Sequence, residues 1–371
     1  MKETEAQAKL SLKLQAYQYL KTKILNCEYR PNEFLNEQKL CAEMGNISRT
    51  PMRDALGRLE QEGPLGAEFD RTVEDSSFGE KSWEKAETKM QQLAMELALQ
   101  KGQTAPGQVD VVLGGDLLNQ CIASAYAVRA LERPFLGLYG ACSTMAESLT
   151  LAALLVESGA AEKALAVTSS HFCSSERQFR FPLNYGGVRT PTAQHTATAS
   201  GAALVGKQGS IHIEEVCIGR VVDLGVTDLN NMGAAMAPAA WDTLRQYFAD
   251  TGTGPADYDK IITGDLAQVG SDLLVRLAAE EGCDLRPRYT DCGLMLYDRE
   301  GQKVDAGASG CGCSAAVMCA HFLPAMQRGE YKNILFMATG ALMSPTACQQ
   351  GESIPGVAHL LHLTAAGEPL S

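Results

Sequence analysis

The chain has 371 residues, 45% of them hydrophobic, with 35 glycines and a formal net charge of −12. That length supports two or three domains with sizeable cores, and no apolar run approaches the ~18 residues of a membrane span. Twelve cysteines scattered without a paired framework point to a reducing, cytosolic setting rather than a disulfide scaffold, and the charged start MKETEAQAKLSLKLQ has no signal-peptide core.

Charge divides unevenly along the chain. Residues 1–63 hold ten Lys and Arg against nine Asp and Glu, a net of +1, which leaves the remainder at −13. Phosphate neutralisation dominates nucleic-acid affinity, so an acidic body is a poor DNA binder and any DNA contact falls to the first segment.

In that segment, Leu14, Tyr17, Leu20, Ile24 and Leu25 recur at helical spacing within Leu10–Cys27. A turn at Tyr29-Arg-Pro-Asn precedes a short helix over 36–44. Gly45-Asn46 breaks it, and a third helix follows over 48–62, with Pro51 in its first turn where the lost N–H costs nothing. Three helices with a tight turn before the last predict a helix-turn-helix. Arg49 and Arg53 lie one helical turn apart, a spacing that suits either base contact or an ordinary solvated face.

Beyond Gly63-Pro64 the reading changes. A helix over 82–100 is followed by the strand-like Val109-Asp-Val-Val-Leu113, a helix over 121–131, and Pro134–Tyr139 as a second buried strand. Gly140-Ala-Cys-Ser-Thr144 is a sharp turn into the apolar helix 145–158, and Lys163–Thr168 is the next strand. The pattern recurs at 258–263, 271–281 and 334–338. Strands alternating with helices predict a mostly parallel sheet covered on both faces, here in two similar halves.

Cys142 carries the sharpest chemistry. It sits where a strand hands over to a helix, so the helix N-terminus is expected to lower its thiol pKa; the plainer reading is a small buried apolar side chain. His171, just past a strand end, is either a donor to a ligand carboxylate or a structural histidine. Arg177 and Arg180 either meet a dianion or pair with carboxylates at the surface. Cys311-Gly-Cys313 has no partners at metal-site spacing, so no metal is expected. His359 and His362 are expected at the surface.

Two resemblances organise these features. The pattern Arg30-Pro-Asn-Glu…Leu40-Cys-Ala-Glu-Met-Gly45 with Ser48-Arg-Thr-Pro-Met-Arg-Asp-Ala-Leu56 resembles the GntR-type winged helix-turn-helix, over about 50 residues. By that resemblance Arg49, Thr50 and Arg53 face the major groove. The family's β-hairpin wing and effector domain have no counterpart, because Glu62-Gly63 runs straight into Pro64-Leu-Gly. From there onward, Gly137-Leu-Tyr-Gly-Ala-Cys-Ser-Thr, Thr168-Ser-Ser-His-Phe, Ser175-Glu-Arg-Gln-Phe, Gly264-Asp-Leu, Asp291-Cys-Gly-Leu and Ala308-Ser-Gly-Cys-Gly-Cys-Ser resemble the stage V sporulation protein AD family.

The second resemblance implies a thiolase-like α/β fold of duplicated βαβ layers (αβαβα), placed after an N-terminal all-α helix-turn-helix. The expected division is 1–63, 64–210 and 211–371. It also implies binding of dipicolinic acid and its uptake into the developing spore, together with membrane proteins of the same operon. Cys142 matches the nucleophile of thiolase-like condensing enzymes, but Gly264-Asp265 and Ser309 stand where those enzymes place their histidine and their Asn or His. The resemblance therefore implies a non-catalytic pocket with no cofactor, formed by Cys142, His171, Arg177, Asp265 and Ser309, in a cytoplasmic protein peripheral to the spore inner membrane. A homodimer and weak DNA binding complete the expected partners. The alternatives are a ligand-responsive DNA-binding regulator and an active acyltransferase. The family's first strand is replaced here by the helix-turn-helix; it is expected to lie centrally, between the strands at 109–113 and 163–168, where its loss leaves buried ladder groups unpaired. The chain reads as a chimera.

Overall fold

A computed structural model describes residues 12–25, 29, 36–61, 63–179 and 189–365, in two compact units, 1–72 and 73–371.

In the first unit, α1 (Leu12–Leu25), α2 (Glu37–Glu43) and α3 (Arg49–Gln61) form the three-helix arrangement that the sequence predicts. Asn36 caps α2, its side chain accepting from the amides of Gln38 and Lys39. Ala16, Tyr17 and Leu20 of α1, Leu40 and Cys41 of α2, and Met52 and Ala55 of α3 share one buried cluster. The Tyr19 and Tyr29 hydroxyls both donate to Glu43. No β-hairpin follows α3 among the described residues.

The second unit holds two sheets of related topology. Helix α4 (Trp83–Lys101) starts at Ser82, whose hydroxyl accepts from the Lys85 amide, and is followed by β1 (Val111–Gly115), α5 (Ile122–Leu131) and β2 (Phe135–Gly137). Next come α6 (Thr144–Glu157), β3 (Lys163–Ser170), α7 (Phe172–Phe179), the two-residue β4 (His195–Thr196) and β5 (Ala199–Gly206). The second half supplies β6 (Ile211–Ile218), α8 (Met232–Thr251), β7 (Lys260–Thr263), α9 (Ala267–Glu280) and β8 (Tyr289–Asp291). It continues with β9 (Ala308–Ser309), α10 (Cys311–Val317), β10 (Asn333–Ala341) and β11 (Gly356–Ala365).

The sheet orders are β2-β1-β3-β5 and β8-β7-β10-β11-β6, and β4 pairs with β9. Each half thus runs two parallel pairings into an antiparallel one: β2 on β1, β1 on β3 and then β3 on β5 in the first, β8 on β7, β7 on β10 and then β10 on β11 in the second. Among the described residues, β6, antiparallel on the outer side of β11, has no counterpart in the first half.

This order corrects the expectation of a gap at the centre. β1 pairs directly with β3, Val111 with Ala164 through Gly115 with Thr168, so no strand belongs between them. By the internal duplication, the absent strand belongs at the edge, beside β5. An unpaired edge can be hydrated, whereas a buried gap cannot, so the sheet stands without it. A second correction concerns 134–139, which is not a buried strand. β2 is a short edge strand, with Leu136 48% and Tyr139 49% exposed. A third concerns His359 and His362, which lie half-buried on β11. His362 sits 2.6 Å from Asn333 Oδ1, and Nδ1 of His359 accepts from the Gly219 amide.

Buried polar groups tie the first half together. Glu87 on α4 accepts from the hydroxyls of Ser169 (2.9 Å) and Ser174 (2.7 Å), and Gln91 reaches Ser124 and Ser169. Burial, then the charge of Asp116, pushes the Glu87 carboxyl up to about 8. The folded chain therefore holds a proton there that the unfolded chain releases above its ordinary carboxylate pKa, so folding stability falls as pH rises from about 4 to about 8. Thermal melts should show a Tm about 5 °C lower at pH 8.5 than at pH 5.5, a loss on the order of 2 kcal/mol. Glu87→Gln should flatten that slope; an unchanged slope would remove Glu87 as its source.

Candidate functional site

The site forms where strand ends from both halves meet. After β2, a single 3₁₀ turn over Ala141–Ser143 leads into α6, with Ala141 at φ +53°. That turn buries Cys142, and its sulfur lies 3.9 Å from the hydroxyl of Ser309 on β9. Asp265 arrives from the turn after β7 and is completely buried. It accepts from the Gly310 amide at 2.8 Å and faces the Thr339 hydroxyl at 3.3 Å. Gly310 takes φ +107°, and a Cβ there would meet the Ser170 hydroxyl at 2.5 Å, so only glycine can present that amide.

A cavity of about 270 Å³ opens onto this cluster. Leu117, Phe179 and Met232 supply apolar walls, while Cys142, Ser175, Glu176, Thr196, Ser309 and Ser344 bring polar atoms. It lies past the carboxyl ends of β1 and β10, where ligand sites of open α/β sheets gather. Glu176 is not a bare charge: Thr196 donates to it at 2.9 Å and Arg189 pairs with it at 2.8 Å. The buried Ser175 hydroxyl has no hydrogen-bond partner among the described residues.

The electrostatics reverse the expectation for Cys142. Burial, and then the neighbouring Asp265 carboxyl, push its thiol well above the ordinary value, so the helix N-terminus does not win. Burial likewise raises Asp265 to about 7. The centre is a neutral thiol beside a carboxyl that takes up a proton near neutrality, and no histidine lines the cavity.

Of the residues that the sequence suggests, Cys142 and Ser309 line the cavity, Asp265 is buried behind them, and His171 and Arg177 do not reach it. His171 is buried with its Nε2 2.9 Å from the Ser76 carbonyl, its Nδ1 accepting from the Cys173 amide, and its ring against Trp83. Arg177 pairs with Glu84 at the surface, its side chain 53% exposed. Arg180 lies outside the described residues.

Four contributors were not singled out from sequence: Ser175, Thr196, Arg189 and Asp291. Asp291 is buried and accepts from the Thr263 hydroxyl (2.6 Å) and from the amides of Leu266 (2.9 Å), Ala267 (2.9 Å) and Leu294 (3.2 Å). It thereby fixes the turn that carries Asp265, in which Ala267 is held at φ +53°. The Asp-Cys-Gly-Leu motif was the available signal, but nothing local says that its carboxylate reaches back 25 residues. In the first unit, Arg49 and Thr50 are exposed, while Arg53 pairs with Glu37 at 2.9 Å. Among the described residues no helix is long and apolar enough to cross a membrane, and no group of side chains suits a metal ion.

Removing Asp291 leaves the amides and hydroxyl that it holds without an acceptor. Asp291→Ala should cost about 3 kcal/mol in a denaturant melt. A loss below about 0.5 kcal/mol would refute its bracing role.

Comparisons with known proteins bear on the family and the fold. Residues 46–364 match the profile of the family described as stage V sporulation protein AD, and residues 12–69 match that of bacterial regulatory proteins of the gntR family. The chain is 45% identical over 314 residues to stage V sporulation protein AD of Bacillus subtilis (strain 168), covering 84% of this chain and 93% of that protein. An uncharacterised helix-turn-helix regulator of the same organism is 35% identical over 89 residues, 23% of this chain and 39% of its own. Solved structures share the fold. A 3-oxoacyl-[acyl-carrier-protein] synthase III of Aquifex aeolicus has a TM-score of 0.50 at 14% identity, covering 75% of this chain and 84% of its own. OleA of Xanthomonas campestris has a TM-score of 0.51 at 12% identity, covering 88% and 90%. The body of the chain is thus thiolase-like in fold, preceded by a helix-turn-helix of GntR type, and the chain belongs to the stage V sporulation protein AD family.

Proposed function

We propose that this chain is a sporulation protein that binds dipicolinate in the Cys142 cavity without transforming it, in the uptake of that molecule into the developing spore. Family membership supports the sporulation role. The observation that carries the binding reading is the buried Ser175 hydroxyl, unpartnered among the described residues and lining the same cavity as Ser309, Thr196 and Ser344. A buried polar group without a partner calls for one, and a ligand carboxylate supplies an acceptor. Among the described residues no Lys or Arg lines the cavity, so the hydroxyls would meet the ligand's oxygens, a protonated Asp265 behind Cys142 adds no negative charge, and Arg189 neutralises Glu176. Membrane proteins of the same operon would be its partners at the spore inner membrane.

The same centre argues against acyl transfer. A cysteine nucleophile works as a thiolate with a base at hand, and Cys142 has instead a carboxyl that raises its pKa. Incubation with acyl-CoA should release no CoA above background, and Cys142→Ala should change nothing. Turnover abolished by that substitution would overturn the non-catalytic reading.

Binding carries a pH signature. Above about 7 Asp265 ionises behind Cys142 and puts a negative charge near the bound dianion, so dipicolinate affinity measured by calorimetry should fall about tenfold between pH 6 and pH 8. Asp265→Asn should remove that dependence. No binding at either pH would refute the ligand assignment.

The helix-turn-helix supports a second reading, DNA contact through Arg49 and Thr50. With no wing among the described residues and a net charge of +1 over residues 1–63, binding should be weak, about 10⁻⁴–10⁻⁶ M, and steeply salt-dependent. A nanomolar, sequence-selective gel shift at ~150 mM salt would promote the regulator reading instead.

A further inference from the structure

The connection from β6 to α8 carries aliphatic side chains out into solvent. Ile218 is 63% exposed, Val221 61% and Leu224 69%, whereas the other exposed large hydrophobics among the described residues reach 53% at most. A single exposed apolar residue is ordinary, but such a run on one short segment marks an interaction site. The segment is not loose. The Val222 amide donates to the Gly356 carbonyl at 2.9 Å, and the Gly356 amide returns to Val222 at 2.8 Å. The Ile354 amide donates to the Val226 carbonyl at 2.7 Å. Arg220 donates twice to Asp242, and Asp223 accepts from the Ser353 hydroxyl and the Gly225 amide. Val222, Val226 and Leu229 pack against the core of the second half. Ile218, Val221 and Leu224 thus stand on a fastened backbone, and a surface ordered in advance loses little entropy when a partner docks.

Charge decides what covers it. Arg220 is the one basic residue over 218–230 and is neutralised by Asp242, while Asp223 and Asp228 are exposed, on a body of net −13. Anionic lipid attracts basic clusters and repels a rim of this sign. The cytoplasmic loops of membrane proteins, in contrast, carry an excess of Lys and Arg. Position adds a reason for a partner here. Leu229 and Met232 line the cavity, and Leu224 lies five residues before Leu229, within about 18 Å along the chain.

We propose that Ile218, Val221 and Leu224, rimmed by Asp223 and Asp228, dock the cytoplasmic face of a membrane protein, beside the Cys142 cavity. The matching surface is aliphatic and flanked by Lys and Arg. Because this rests on the membrane-partner role proposed above, the test separates the two.

The probe is the set of membrane proteins of the same operon in lipid nanodiscs, with protein-free discs of the same lipid as control. The full chain should bind the loaded discs and not the empty ones, more weakly as salt rises. The triple variant Ile218→Ser, Val221→Ser, Leu224→Ser should bind them about tenfold more weakly, with dipicolinate affinity unchanged by calorimetry. If that variant misfolds, hydrogen exchange on the unaltered chain decides: amides of 218–226 should gain protection with loaded discs. Equal binding by a folded variant, or no protection at 218–226, overturns the docking surface and leaves the dipicolinate reading standing. Equal binding to empty discs would assign the segment to lipid and likewise overturn it. A chain that binds dipicolinate but no loaded disc overturns the docking surface together with the membrane partners. Absence of dipicolinate binding is instead the failure of the ligand reading alone.

Discussion

One buried carboxylate holds the site in shape. Asp291 accepts four hydrogen bonds from Thr263, Leu266, Ala267 and Leu294, and so fastens the turn between β7 and α9. That turn carries Asp265, whose own carboxyl meets the Gly310 amide and stands beside Cys142. Cys142 and Ser309 are 167 residues apart in sequence, and the strap between the halves is this chain of buried acceptors and backbone amides. Such networks specify one arrangement because each unmet partner in a low-dielectric interior is costly.

The same arrangement supports the proposed role of this thiolase-like fold in binding rather than turnover. Burial disfavours both ionised forms, and the Asp265 charge disfavours the Cys142 thiolate further. A thiolate is therefore suppressed where a condensing enzyme needs it, and the carboxyl becomes a donor near neutral pH. Around them the cavity offers hydroxyls on an apolar wall, which suits orienting a small polar molecule.

Much of this was legible in the sequence where local pattern decides. Helices α1 to α3, the alternation of strand and helix, and the Gly140–Thr144 turn follow from spacing and turn chemistry. Cys142 stood out because it lies just after a strand end, where α/β sites gather, and Asp265 and Ser309 because they stand where condensing enzymes place their catalytic motifs. What local pattern could not fix was rotation and adjacency. On α7, Ser175 and Phe179 lie one turn apart and line the cavity, whereas Arg177 sits about 200° around the helix from Ser175 and turns to Glu84. Strand order is likewise a tertiary property. The direct β1–β3 pairing moved the absent strand from the centre to the edge, and turned an expected instability into a tolerable opening.

On the proposed reading, dipicolinate sits intact between Cys142, Ser175 and Ser309. A crystal structure determined with dipicolinate present tests this most directly. Planar density is expected in the cavity, with a carboxylate within hydrogen-bond reach of Ser175 and Ser309 and an unmodified Cys142. An empty cavity with the ligand bound elsewhere, or a covalent adduct on Cys142, would contradict it.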